Sequence, residues 1–349
     1  MKQKGLTGIG GIFLVLWILA SGTAFAADWN FYGNARVQTF YEDVDTGSAS
    51  STNLSHSLQS NSRIGANVKV SDELVGRFEY GASGGNANIR HLYGEWHFGS
   101  GKLLIGQTDS PLNFALSNQV YGTDAGMDPY GHVDAKRQPM LQLTFGNFKV
   151  AAVQPDTGDL GLANSSQEVK LPKIEAKYRL DLKSGYLELA GGYQTYELTD
   201  TSSLRTYDVD SYILALGGQV RLGSAYLGGD IWTGQNVGPY DFNCSPDGDP
   251  QVVAGTLEDN DAYGVMVAAG FMLNERFSFE AGYGYVAAEI DHLNYAKDDT
   301  VAYYLQSTVT LAPGVFFVPE VGRIDKDRDK DGVEEADTVY AGVKWQINF

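Results

Sequence analysis

The stretch KIEAKYRL, residues 173–180, constrains the fold more than any other. Ile174, Ala176, Tyr178 and Leu180 occupy one phase of a two-residue period, and Lys173, Glu175, Lys177 and Arg179 occupy the other. On a strand those phases are opposite faces. Four consecutive charged positions do not line an ordinary dry core, because unpaired charges lose their hydration there. The charged face is therefore expected to be wet, and the apolar face must meet something other than water. The stretch VYAGVKWQINF repeats the pattern, with Val339, Ala341, Val343, Trp345, Ile347 and Phe349 on its apolar phase.

Alternation marks sixteen such segments, near 29–41, 60–71, 74–81, 89–98, 102–107, 137–145, 148–154, 173–182, 185–197, 210–222, 224–233, 261–273, 276–288, 300–311, 315–325 and 338–349. Short turns such as Asp72-Glu73, Gly146-Asn147 and Pro313-Gly314 take turns with longer polar loops at about 42–59, 82–88, 108–136, 155–172, 198–209, 234–260, 289–299 and 326–337. This predicts an all-β fold, a 16-stranded antiparallel transmembrane β-barrel with its apolar face toward lipid. A β-sandwich would hide its apolar face within about seven to nine strands and has no reason to place loops so regularly. An eleven-residue strand, tilted about 45°, covers roughly 25 Å, the height of the apolar band of such barrels. Pro319 cannot donate to a ladder, so a bulge is expected there.

Before the first alternating segment, Lys2 and Lys4 precede the apolar run GIGGIFLVLWILA and the small-residue site Ala24-Phe25-Ala26. This predicts a signal peptide over 1–26 and a barrel over 27–349. With 43 acidic residues against 25 basic ones the chain is a poor match for nucleic acid. Cys244 is the only cysteine, so an internal disulfide is excluded.

LQSNSRIGANVKVSDELVGRFEYG (58–81) and RHLYGEWHFGSGKLLIGQTDSP (90–111) resemble consecutive early strands of the Gram-negative general-diffusion porins. Phe349 at the C-terminus resembles the signal read by the barrel-assembly machinery of that family. The resemblance implies a homotrimer of water-filled channels, set in outer-membrane lipid and lipopolysaccharide, for passive diffusion of small hydrophilic solutes. It also implies a third external loop, here about 108–136, that folds inward to narrow the pore. That segment carries Asp109, Asp124, Asp128 and Asp134, and alternation sets Arg36, Arg63 and Arg77 on the wet face of the first three strands. Cations facing acids would create a transverse field. The strongly acidic composition predicts a modest cation preference. Arg90 aligns with a family wall arginine but is in phase with outward Leu92 and Trp96, so either a bulge or a headgroup contact is expected there. A substrate-specific channel with a loop-built solute site is one alternative, favoured by lumen tyrosines such as Tyr32 and Tyr304, and an outer-membrane barrel hydrolase is another.

No catalytic set emerges. Residues 81–85 fit G-x-S-x-G, but no helix follows to build the required elbow. In DKDRDKDGVEEADT, Asp327, Asp329, Asp331 and Gly332 match the first half of a calcium loop, while Thr338 stands where a bidentate glutamate belongs. A Ca2+ site on 325–338 and a solvated acidic loop are both open at this point.

Overall fold

In the computed structural model, which describes residues 27–349 apart from 84–85, 159–161, 163–164, 241 and 243–247, the alternating segments become staves of one antiparallel sheet. The expected signal segment and Cys244 lie outside the described residues. The first stave, Asp28–Asp45, pairs along its length with Ser50–Leu58 and Arg63–Lys69, which together form the second. The third to seventh are Leu74–Ser83, Asn86–Phe98, Gly101–Asp109, Arg137–Phe145 and Phe148–Val153. Ser165–Glu168 and Lys173–Leu182 share a partner, Gly185–Asp200, and so form the eighth stave beside the ninth. Arg205–Leu222, Ala225–Gln235, Asn260–Met272, Phe277–Ile290, Asp298–Ala312, Val315–Lys326 and Asp337–Asn348 complete the sixteen.

The sheet closes where the first stave meets the last, with Val37 opposite Trp345. Gly33 and Phe349 exchange backbone hydrogen bonds of 2.8 and 3.0 Å and so extend this seam to the final residue. Closure removes the unpaired edge that no lipid could satisfy. Side chains then sort as the alternation requires: Leu305 is 55% exposed on the outer face, and its neighbour Tyr304 is 4% exposed on the inner one. Near the short turns the outer face carries aromatic pairs, with Trp29 on Phe31 at 5.9 Å and Phe317 on Trp345 at 4.5 Å between ring centroids. Such rings form the girdle that sits at a membrane interface.

Three local expectations have different outcomes. The ladder between the third and fourth staves slips so that Glu79 faces His91 and Tyr80 faces Ile89, leaving Arg90 as the extra residue. This bulge turns both Arg90 and His91 inward, which is one of the two resolutions the conflict in phase left open. At Pro319 there is no bulge. The register with the fourteenth and sixteenth staves is the same on both sides of it, and the ladder to the fourteenth lacks only the pairs expected at Ser307 and Thr308. A missing N–H opens a gap without shifting the strand, and the slip lies instead between Thr310 and Ala312. Finally, much of the loop expected at 42–59 is ribbon, since pairing continues out to Asp45 and Ser50. Ser50–Asn53 is polar on both faces because that part stands in water, so alternation marks only the lipid-facing part of the hairpin.

The inner face is divided. On the ninth to fourteenth staves it is small and dry, with Ala190, Ala215, Ala262, Met266, Ala268 and Ala302 all buried. What covers them is the segment 110–136, whose Leu112, Phe114, Leu116, Val120, Met127 and Val133 belong to the same buried cluster. The wet-face reading therefore needs correction even at 173–179. Lys173 and Glu175 are fully buried and 3.6 Å apart, with Lys173 donating to Pro239 O at 2.7 Å and Glu175 accepting the Leu112 N–H at 3.3 Å. Pairing and hydrogen bonds let two charges sit where bare ones could not.

Candidate functional site

Wall carboxylates pin the segment 110–136 across the barrel. Glu280 accepts the backbone N–H of Asn118 at 2.8 Å, and Glu320 accepts those of Val120 at 2.7 Å and Tyr121 at 3.2 Å. Asp230 pairs with His132 at 2.5 Å, while Trp232 donates its indole N–H to Gly131 O at 3.0 Å. Tyr121 stacks on the wall residue Tyr340 with ring centroids 3.9 Å apart and planes 11° from parallel. Backbone approach is equally close. A Cβ on Gly131, whose φ is +99°, would stand 2.3 Å from Tyr285 O, and one on Gly284 would stand 2.0 Å from Tyr130 O. Gly284→Val is thus expected to lift the segment off the thirteenth stave without altering any charge. Faster protease cleavage within 110–136 in the folded protein, compared with wild type, would show it.

Asp124 lies at the end of this docked stretch. It is held by Arg36, by Asn61 Nδ2 at 2.8 Å and by Lys344 Nζ at 2.9 Å. Arg36 and Asp124 therefore touch and do not face each other across an opening. Asp128 and Asp134 are not opposite the arginines either. The two carboxyls lie together, and burial and the charge of Asp134 hold the Asp128 carboxyl well above its usual range. Asp134 also takes hydrogen bonds from Asn113 and the Lys136 N–H. A carboxyl raised on folding stabilises the native state when protonated, and this contribution is lost as pH rises from its unfolded value through its folded one. Asp128→Asn is expected to be stabilising at pH 8 and to flatten the dependence of thermal unfolding on pH above about 4.

The opposite wall is cationic. On the second, third and fourth staves, Arg63, Arg77 and Arg90 converge on Glu79 at 3.5, 2.7 and 2.7 Å, and Tyr32 donates to the same carboxylate at 2.8 Å. Glu79 has no exposed side-chain surface, whereas Arg63 and Arg77 retain 19% and 27% of theirs. Three guanidiniums share one carboxylate, which leaves the cluster net positive. Asp109 sits beside it in an ion pair with Arg137 at 3.1 Å. Sequence reasoning missed Glu79, although it is in phase with Arg77, and it missed the anchors Glu175, Asp230, Glu280 and Glu320. Each of those is a charge on the inward phase of its strand.

A family model described as Gram-negative porin matches residues 13–329. The chain belongs to the Gram-negative porin family. Membership places this porin in the outer membrane, and barrels of that membrane have long loops outside and short turns on the periplasmic side. Among solved structures, the outer membrane channel DcaP of Acinetobacter baumannii is 18% identical, with a TM-score of 0.75 over 93% of this porin and 98% of that chain. OmpF of Salmonella typhi, in a complex with daunomycin, is 12% identical with a TM-score of 0.63 over 91% and 97% of the two chains. The anion-selective porin from Comamonas acidovorans is 11% identical with a TM-score of 0.60 over 93% and 100%. No match is found among curated protein sequences.

Two other motifs are differently placed. In the porin's last external loop the Asp329 carboxylate is occupied by the backbone N–H groups of Asp331 and Val333, at 3.0 and 2.9 Å. Among the described residues, no three His, Cys, Asp or Glu side chains are grouped so as to hold a metal ion, and Asp327, Asp329 and Asp331 form no such set. The G-x-S-x-G stretch ends the third stave at Ser83, and its last two residues lie outside the described residues.

Proposed function

We propose that this porin is a passive, water-filled channel for small hydrophilic solutes and ions, with its narrowest part between the docked segment 110–136 and the arginine wall. The observation that carries this reading is the division of the inner face. A dry bed on one side holds the segment, and Arg63, Arg77 and Arg90 stand on the other around a single carboxylate. A net positive cluster at a constriction draws anions and repels cations, so the filter is proposed to favour anions locally, against the cation preference that composition suggests. Nothing in the arrangement requires a chemical step, and the cluster is a field-setting device. A homotrimer is supported by the trimer form of OmpT of Vibrio cholerae, a fold relative at 15% identity with a TM-score of 0.61.

Purified protein added to a planar lipid bilayer should produce stepwise, ohmic increments of current in potassium chloride. Arg63→Gln should move the zero-current potential in a salt gradient toward cations. A membrane that stays impermeable after verified insertion would refute the channel. A zero-current potential unmoved by Arg63→Gln would refute the placing of the filter.

A further inference from the structure

Beneath the docked segment, on the periplasmic side, the barrel encloses a cavity of about 520 Å³. It lies away from the arginine wall, between the tenth and sixteenth staves. Its size is within the range of about 300–1,000 Å³ typical of small-molecule sites. Two of the three charges on its boundary are engaged within the barrel, and the third, Arg221, is exposed beside the short turn at Gly223 with its Nε on Gln219 Oε1 at 3.3 Å. Lys344 is paired with Asp124 at 2.9 Å. Glu280 is saturated by the Asn118 N–H, Tyr226, Tyr304 and Gln306. Inside the rim that Arg221 marks, what remains for a visitor is neutral: the hydroxyls of Ser278 and Thr308, the amides of Gln306, Gln346 and Asn348, and the half-buried ring of Phe316.

Hydroxyls and amides offer both donors and acceptors, whereas an apolar ring face offers contact without charge. One of the acceptors is unused. Gln306 is 4% exposed, its amide nitrogen donates to Asn118 O at 2.8 Å, and its Oε1 has no hydrogen-bond partner. An orphaned buried acceptor calls for an explanation, and an arriving hydroxyl supplies one after a small side-chain adjustment.

We infer that this cavity is a solute subsite for a neutral polyhydroxylated molecule of about disaccharide size, entered from the periplasmic mouth and separate from the arginine filter. Phe316 takes the apolar face of a sugar ring, and Thr308 and the neighbouring amides take its hydroxyls. The inference rests on the channel reading, because the solute must enter through an aqueous lumen.

The test is block of single-channel current by sucrose applied to the periplasmic side. Saturable, concentration-dependent block is expected, stronger than with gluconate at equal concentration. Phe316→Ala and Thr308→Val should each weaken the apparent affinity about fivefold or more, as expected for the loss of about one contact, and leave the open conductance nearly unchanged. Three results overturn the subsite while the channel stands: a strictly linear, viscosity-like decrease, block unaltered in both variants, or tighter block by gluconate. Absence of conductance steps overturns the channel and the subsite together.

Discussion

Replacing Glu79 by glutamine is expected to shift the porin toward anions and to weaken the barrel. The carboxylate is the sole acid among Arg63, Arg77, Arg90 and the tyrosine hydroxyl of Tyr32, and it is fully buried. Removing one partner of a buried ion pair costs about 3–5 kcal/mol, since the remaining charge is left uncompensated. Here three cations would be left. They would repel one another into the lumen, so the zero-current potential in a salt gradient should move toward anions and the temperature at which the barrel unfolds in detergent should fall. Adding Arg90→Gln should restore part of both, because it removes the guanidinium with the least water around it. Unchanged selectivity in Glu79→Gln would mean that current passes elsewhere.

Joint replacement of Glu280 and Glu320 by alanine is expected to release the segment 110–136 from the wall. Between them these acids accept three backbone N–H groups of the segment and the hydroxyls of Tyr226, Tyr304 and Tyr340. Hydrogen bonds to charged groups contribute about 1.5–3 kcal/mol each, and orphaned buried partners add a further penalty. The apolar bed would still attract Leu112, Phe114 and Val120, so the segment should detach intermittently. Open-channel current should then become noisy and larger on average, and protease should cut within 110–136. Quiet, wild-type current in the double variant would show that apolar packing alone fixes the constriction.

These expectations depend on features of unequal visibility in the sequence. Stave positions were legible wherever one face meets lipid, because contrast between phases is greatest there, as at 173–182 and 338–349. The outer ribbon at Ser50–Leu58 was not, because both of its faces are wet. Arg36, Arg63 and Arg77 follow from phase alone, and Arg90 was legible as a conflict between phase and resemblance that the bulge resolves. The dry bed was hidden for the opposite reason. Ala262, Met266 and Ala268 alternate with Tyr263 and Val267, so both phases are apolar and no contrast survives. Their cover is far along the chain, and a period of two carries no information about which distant segment fills a barrel. The aspartates of 110–136 were misplaced on the same ground: Asp124 and Asp128 read as free acids until Arg36, Lys344 and Asp134 are brought beside them.

The central claim is that the wall is lipid-facing outside and split inside between a hydrated arginine side and a dry, covered bed. Cysteine labelling tests it most directly. In a Cys244→Ser background, single cysteines at Arg63, Ala302 and Leu305 would be exposed to a small charged thiol reagent after reconstitution into liposomes. The account predicts fast reaction at position 63, with altered current, slow reaction at 302 beneath the segment, and none at 305. Fast aqueous labelling at 305 with protection at 63 would contradict it.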